Sequence, residues 1–325
     1  MSRAAATAAL AAAARWHQAE YGFWVVAAAS WFLLPEQHLL LTEVAIFGLF
    51  ALSLDLVLGY GGIVSLGHAA FFGTGAYAAG LLARAGYGDP LLGLGVAALV
   101  AGLLGFATSF LVLRGSDLTR IMVTLSVSLV LFELANRLTW LSGGADGLQG
   151  VVLSPLLGLF DFDMFGRTAY GYALVVLFVL FLAARRVVTS PFGWSVRAVK
   201  GNALRTAAIG IPVNGRLVVV YTMAAGYAGV AGGLLAQATQ FVSLDVLAFH
   251  RSADVLLMLV LGGVGYLYGG LVGALLFKVM QNWLSDITPE YWEFWIGLLL
   301  VLFVVVGRER ILGWPRLLMD RFRRV

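Results

Sequence analysis

From Tyr21 to Val306 the chain is a succession of apolar runs, 14 to 30 residues long and joined by short polar connections. Runs of that length match the hydrocarbon thickness of a bilayer, and no polar stretch between them is long enough to fold alone. Composition agrees: 61% of the 325 residues are hydrophobic and 12% are charged, whereas a soluble domain carries about 25% charged residues. The expected fold is an all-α polytopic membrane protein forming one transmembrane domain over residues 1–325. With no cysteine, disulfides, thiolate metal sites and cysteine nucleophiles are excluded. Four scattered histidines give no metal-ligand spacing either. No catalytic residue, metal or cofactor is expected on this chain. Residues 1–20, with Arg3 ahead of an alanine run, read as a retained cytoplasmic lead-in rather than a cleaved signal.

Eight helical spans are predicted: Tyr21 to Leu34, Leu39 to Leu58, Ser65 to Ala83, Pro90 to Leu113, Asp117 to Leu141, Thr168 to Ala184, Arg216 to Gln240 and Trp292 to Val306. Ser252 to Met280 is different, because "LGGVGYLYGG" sits in its middle and a run of glycines weakens a helix. Charge decides how that segment runs. Lys and Arg gather on the cytoplasmic side of short loops. If the N-terminus is inside and Ser252 to Met280 dips in and returns, sixteen of the 21 basic residues lie inside. These are Arg3 and Arg15, Arg114 and Arg120, the six from Arg185 to Arg216, and the six of the basic tail at 307–325. A single crossing would move that tail outside and erase the bias. Eight full spans plus a glycine-broken, re-entrant helix pair, 8 to 10 spans in all, is the expected topology.

"GYGGIVSLGHAAFFGTGAYAAGLL", residues 59–82, carries seven glycines together with Ser65 and His68. Lipid offers no hydrophobic drive for helices to meet, so small residues let backbones approach closely. Ala69, Gly73, Ala76 and Gly80 share a helical face, as do Ala225, Gly229 and Gly233, while Gly265, Gly269 and Gly273 form a doubled GxxxG. "LVLGYGG" at 56–62 is echoed by "LVLGGVG" at 259–265, each opening a glycine-rich segment in its own half of the chain. Transporters built from repeats place interrupted apolar segments at such corresponding positions. Gly59, Gly61, Gly62, Ser65, Gly67, His68 and Gly73 on one side, and Gly262, Gly263, Gly265 and Gly269 on the other, are the candidate gate.

An ionisable residue inside a span costs roughly 2.5 to 3.5 kcal/mol and needs a partner, a wet cavity or a place near the surface. Asp55 is one turn from the inner end of its span, with interfacial water or a backbone donor as its expected partner, and Glu43 is similarly near the outer end. Glu133 has Arg137 four residues on, the spacing of a helical ion pair. His68 is expected to bond a backbone carbonyl and brace the glycine break. Ser65 and His68 also raise an intramembrane serine hydrolase. That chemistry requires an oriented base and an oxyanion hole, which a Ser-x-x-His spacing on one helix does not supply.

The loop from Arg185 to Arg216 holds six basic residues and no acid. Trp194 to Ile209 reads as one short helix ended by Gly210 and Pro212, either resting on anionic lipid or docking a cytoplasmic partner. The only lysines are Lys200 and Lys278, and neither follows a glycine as a phosphate-binding P-loop requires. Energy for active transport must therefore come from an ion gradient or another polypeptide.

"ALSLDLVLGYGGIVSLGHAAFFGTGAYAAGLL" (51–82), "LSGGADGLQGV" (141–151) and "LLMLVLGGVGYLYGGLVGALL" (256–276) closely resemble the LivM-type permeases of bacterial branched-chain amino-acid ABC importers, from about residue 39 to 312. The resemblance implies a multi-pass inner-membrane subunit. Its partners would be a LivH-like permease, two ATPases of the LivG and LivF kind that use the ATP, and a periplasmic binding protein. No nucleic acid is among them. It also implies that "ALRTAAIGIPV" (203–213) holds the coupling helix. On that reading Phe192, Gly193, Trp194, Arg197 and Lys200 join Arg205, Ala207, Ala208, Gly210, Ile211 and Pro212 in meeting an ATPase. Relatives usually carry an acid ahead of Ala-Ala-x-Gly, where this chain has Asn202, Leu204 and Arg205, so docking would rest on shape and basic charge. The outer loops Ser142 to Arg167 and Val242 to Arg251 would receive the binding protein. The alternatives are an ABC permease for urea, amides or aromatic and other carboxylic acids, an ion-coupled secondary transporter, and a purely structural membrane subunit.

Overall fold

The computed structural model describes residues 16–163, 165–291, 293–298 and 301. Among them the fold is helical throughout, with only two isolated β-bridges. The helices are α1 (Gln18–Leu33), α2 (His38–Asp55), α3 (Ala69–Arg84), α4 (Pro90–Val112), α5 (Asp117–Arg137), a single turn α6 (Thr139–Ser142), α7 (Arg167–Thr189), α8 (Pro191–Gly201), α9 (Ala203–Ala208), α10 (Val213–Thr239), α11 (Phe249–Gly262) and α12 (Leu267–Ile287). The chain divides into two compact units, residues 1–275 and 276–325. Within the second, the rest of α12 is followed by a short helical stretch at 293–298.

Five helices among the described residues are long and apolar enough to cross a membrane: α2 with its flanking turns, α4, α5, α7 and α10. The pair α11 and α12, bent by 112°, makes a sixth at most. α1 and α3 have 16 residues each. The predicted span Trp292 to Val306 lies largely outside the described residues. The predicted helix Ser65 to Ala83 is corrected at its start: the backbone stays non-helical until Ala69.

Caps account for several ends. Asp89 accepts from the amides of Leu91 and Leu92 at 2.8 and 3.1 Å, with Pro90 as the first helical residue of α4. Asp163 accepts from Arg167 and Thr168 at the start of α7, at 3.2 and 3.0 Å. Burial pushes the Asp163 carboxyl up, but the Thr168 and Arg167 amides, its own amide and the Thr168 hydroxyl together hold it below the usual carboxylate range.

α10 is the central post, packed on α4 and α3. The seam Ala225, Gly229, Gly233 is a helix contact face as expected, and the helix it meets is α4. A Cβ on Gly229 would stand 2.6 Å from the Ala97 carbonyl, and one on Gly233 3.0 Å from the Ala97 methyl. The other two seams are corrected. Gly73 and Gly80 of α3 face Leu247 and Leu148 of the connecting segments, while Ala76 of the same seam lies against Gly232 of α10 and its neighbour Gly75 packs on the Gly229 carbonyl of α10. Gly265 lies outside any helix, so the doubled GxxxG reduces to Gly269 and Gly273, which close α12 against the end of α11. The loops at 142–167 and 242–251 are joined by a two-way backbone bridge between Leu148 and Val242, at 2.7 and 3.2 Å.

Candidate functional site

In "DLVLGYGG" the helix does not end at Asp55. The next five residues, Leu56–Tyr60, wind into a wider π turn, and the Gly61 amide reaches back to the Leu56 carbonyl at 3.2 Å. π turns of this kind recur at functional sites. Gly62 then takes φ +71, and residues 63–68 run without helix to α3. The second break has another shape. α11 stops at Gly262, Gly263 (φ +105) and Gly265 (φ +83) turn the chain, and α12 leaves at 112°. Positive φ is open to glycine at little steric cost.

The two breaks touch. Asp55 is fully buried, and its Oδ1 accepts a hydrogen bond from the Gly265 amide at 2.7 Å. The expected backbone donor is therefore found, 210 residues along the chain. Gly59 lies between them: a Cβ there would run into the Asp55 carboxyl and stand 2.7 Å from the Gly265 nitrogen. The sequence echo is thus a spatial contact.

The basic loop reaches the same point. Trp194 to Ile209 is not one helix but two, because Asn202 leaves helical geometry and caps α9 by accepting from the Arg205 amide at 2.9 Å. Val196 and Val199 of α8 are buried, and Gly193 packs on the Val188 carbonyl so closely that a Cβ would collide. Near the end of α8, Lys200 donates from Nζ to the Gly59 carbonyl at 2.6 Å. This satisfies a carbonyl at a helix end, where partners within the helix run out. Its stem covers Gly62, and Arg197 sits 4.8 Å above the Tyr60 ring. Both cations are close enough to act on the Asp55 carboxyl. Asp55 Oδ2 has no hydrogen-bond partner among the described residues.

Past Asn202 the loop turns outward. Arg205, Ala207 and Ala208 are exposed, Leu204 and Ile209 are 85% and 75% exposed, and Gly210 closes α9 at φ +87. Trp194 is 46% exposed beside Arg197. In a single helix Ala203 and Ala207 would share a side with Val196 and Val199, but the kink at Asn202 turns both alanines into the open.

His68 is buried, but its partner is corrected: Nε2 lies 2.9 Å from the Ser53 hydroxyl rather than on a backbone carbonyl. The ring stacks on Phe50 at 5.6 Å. Ser65 is buried with no partner among the described residues and does not share a helix with His68, so these two are not joined as nucleophile and base. Gly67 packs on α5, where a Cβ would strike the Thr124 carbonyl. The Ala69 amide donates to Ser252 of α11 at 2.9 Å, a second bridge between the two regions. Sequence reasoning missed Ser53, Tyr60, Thr124 and Ser252. Only their polarity inside apolar runs marked them.

Glu133 and Arg137 pair at 2.6 Å as expected, on the exposed side of α5. Between α4 and α7 an open apolar groove of about 1000 Å³ is lined by Leu94, Ala98, Tyr172 and Val176 among others, and none of the residues at the breaks line it. No group of His, Cys, Asp and Glu among the described residues has metal-binding geometry.

Comparison with known proteins points the same way. The profile described as "Branched-chain amino acid transport system / permease component" matches residues 38–304. The chain is 27% identical over 302 residues to the high-affinity branched-chain amino acid transport system permease protein LivM of Escherichia coli K12, covering 85% of this chain and 69% of that one. The Salmonella typhimurium LT2 protein of the same name is 28% identical over the same length and coverage. The inner membrane ABC transporter permease protein YjfF of Escherichia coli K12 is 25% identical over 304 residues, with 85% and 84% coverage. No solved structure gives a significant match.

Proposed function

The chain belongs to the family of branched-chain amino acid transport system permease components, and from that premise we propose that it carries branched-chain or related amino acids across the bacterial inner membrane. It works without catalytic residues or a cofactor of its own. Partner ATPases of the LivG and LivF kind supply the force, a LivH-like permease completes the pore and a periplasmic binding protein delivers the solute. The topology proposed is eight full spans with α11 and α12 as the broken, re-entrant pair, basic loop and tail inside.

One observation carries the coupling. α8 buries Val196 and Val199 while α9 leaves Leu204 and Ile209 in the open on a loop with no acid. A short helix that is marginal in water and shows apolar side chains is suited to fit a groove on another protein. The loops joined at Leu148 and Val242 offer a single outer surface for the binding protein.

The test is uptake of labelled leucine by membrane vesicles carrying the chain with and without the ATPases. Uptake should require the ATPases and persist in a protonophore. Uptake by the chain alone, abolished by a protonophore, would instead establish ion coupling. Replacing Gly210 and Ile211 with bulky charged residues should abolish uptake and leave membrane insertion intact, since Gly210 sits at φ +87 and the α9 turn depends on it.

A further inference from the structure

Lys200, the Gly59 carbonyl, Asp55 and the Gly265 amide form one continuous chain of contacts that begins on the basic loop and ends at the turn between α11 and α12. Its links differ in kind. Val196 and Val199 seat α8 on the body of the protein, and Lys200 lies near the end of that helix, so a movement of the loop reaches the lysine through α8. Gly59 admits the close contact only because it has no side chain. Asp55 spans the two breaks with one oxygen, and the other has no donor among the described residues. A lysine ammonium carries three donors on a flexible stem. One is spent on Gly59, and the Asp55 carboxyl, whose Oδ2 has no partner among the described residues, lies close enough to feel the Lys200 charge.

We propose that Lys200 and Asp55 are positioning residues for transport: Lys200 shifts between the Gly59 carbonyl and Asp55 Oδ2 as α8 moves, so that both glycine breaks change together. Neither residue needs to touch the solute. The shift exchanges one hydrogen-bond acceptor for another, so it transmits a displacement without opening a hydrophobic core. Coupling requires an element with two arrangements whose balance the loop biases, and the shift of Lys200 between the Gly59 carbonyl and the Asp55 carboxyl supplies it in this proposal. The inference rests on reading the basic loop as the docking surface for the ATPases.

The experiment uses the whole importer in proteoliposomes, with ATP hydrolysis and labelled leucine uptake measured on the same preparation. Lys200→Met keeps the stem and removes the donors. It should lower uptake per ATP hydrolysed by about tenfold, the order set by one hydrogen bond to a charged group, with hydrolysis within about twofold of wild type. Lys200→Arg should recover part of the loss. Asp55→Asn should show the same uncoupling, and the double variant should be no worse than either single one, because contacts in one network are not additive. The chain has no cysteine, so spin labels at Ala198→Cys and Val260→Cys report the distance from α8 to α11. That distance should change with nucleotide in the wild-type background and not in Lys200→Met. Unchanged uptake per ATP, or additive losses in the double variant, overturns the proposal. Equal loss of hydrolysis and uptake also overturns it, by making Lys200 part of the docking surface alone. If wild-type uptake itself proves independent of the ATPases, it is the functional reading that falls.

Discussion

The breaks at 56–62 and 259–265 share the letters LVLG, yet one widens into a π turn and runs on without helix while the other folds sharply back. The first break is an interior piece of chain, with Leu56, Val57, Gly59 and Tyr60 buried and a lysine reaching in from outside. The second is a corner, where two residues at positive φ let α12 return along α11. Glycine therefore serves two needs, room for a neighbour at Gly59 and a backbone angle at Gly265. The difference follows from what surrounds each break rather than from its local composition.

Substitutions separate the two needs. The largest effect is expected at Gly59. In Gly59→Ala the methyl enters the Asp55 carboxyl and crowds Gly265, so both breaks are forced apart. A destabilisation of about 1–3 kcal/mol, the range for overpacking, should appear as a lower thermal unfolding midpoint and come with loss of uptake. Gly265→Ala meets no such obstacle, its Cβ lying 3.6 Å from the Gly59 carbonyl, and the cost is the left-handed angle alone, about 1–2 kcal/mol. Asparagine at 265, which tolerates that angle, should recover part of it, whereas asparagine at 59 should be worse than alanine. If Gly59→Asn and Gly265→Asn behave alike, the distinction between room and angle is wrong.

The smallest effect belongs to a site away from both breaks. Asp163→Asn weakens the cap of α7 by about 1 kcal/mol or less and leaves uptake per ATP unchanged. Because the folded carboxyl is held below its usual range, its contribution is present above the unfolded value and is lost as the pH falls through the folded one. The wild-type advantage in unfolding midpoint should therefore vanish in acid. A persistent difference there would place Asp163 in another role.

Much of this was legible beforehand. Charge sparsity and run length gave the helical membrane fold, the Glu133 and Arg137 pair followed from helical spacing, and the α10 seam followed from small residues at Ala225, Gly229 and Gly233. Other features were not. The kink at Asn202 hides in a stretch whose apolar residues fit one helix, because a capping side chain competes with helix continuation only once its backbone has turned. Ser53 as the partner of His68 depends on the non-helical stretch 63–68 bringing the ring back against α2, and no spacing along the chain encodes that.

By itself the sequence determined the solvent of this protein, the places where its helices weaken and the absence of a nucleotide motif, since each depends on residue type and on neighbours a few positions away. Only the tertiary structure decided that the two weak places meet, that Asp55 bridges them and that Lys200 of the basic loop arrives at the same carbonyl. Those contacts join residues 141 and 210 positions apart, and a pairing over such distances is selected by packing of whole helices rather than by any local preference of the chain.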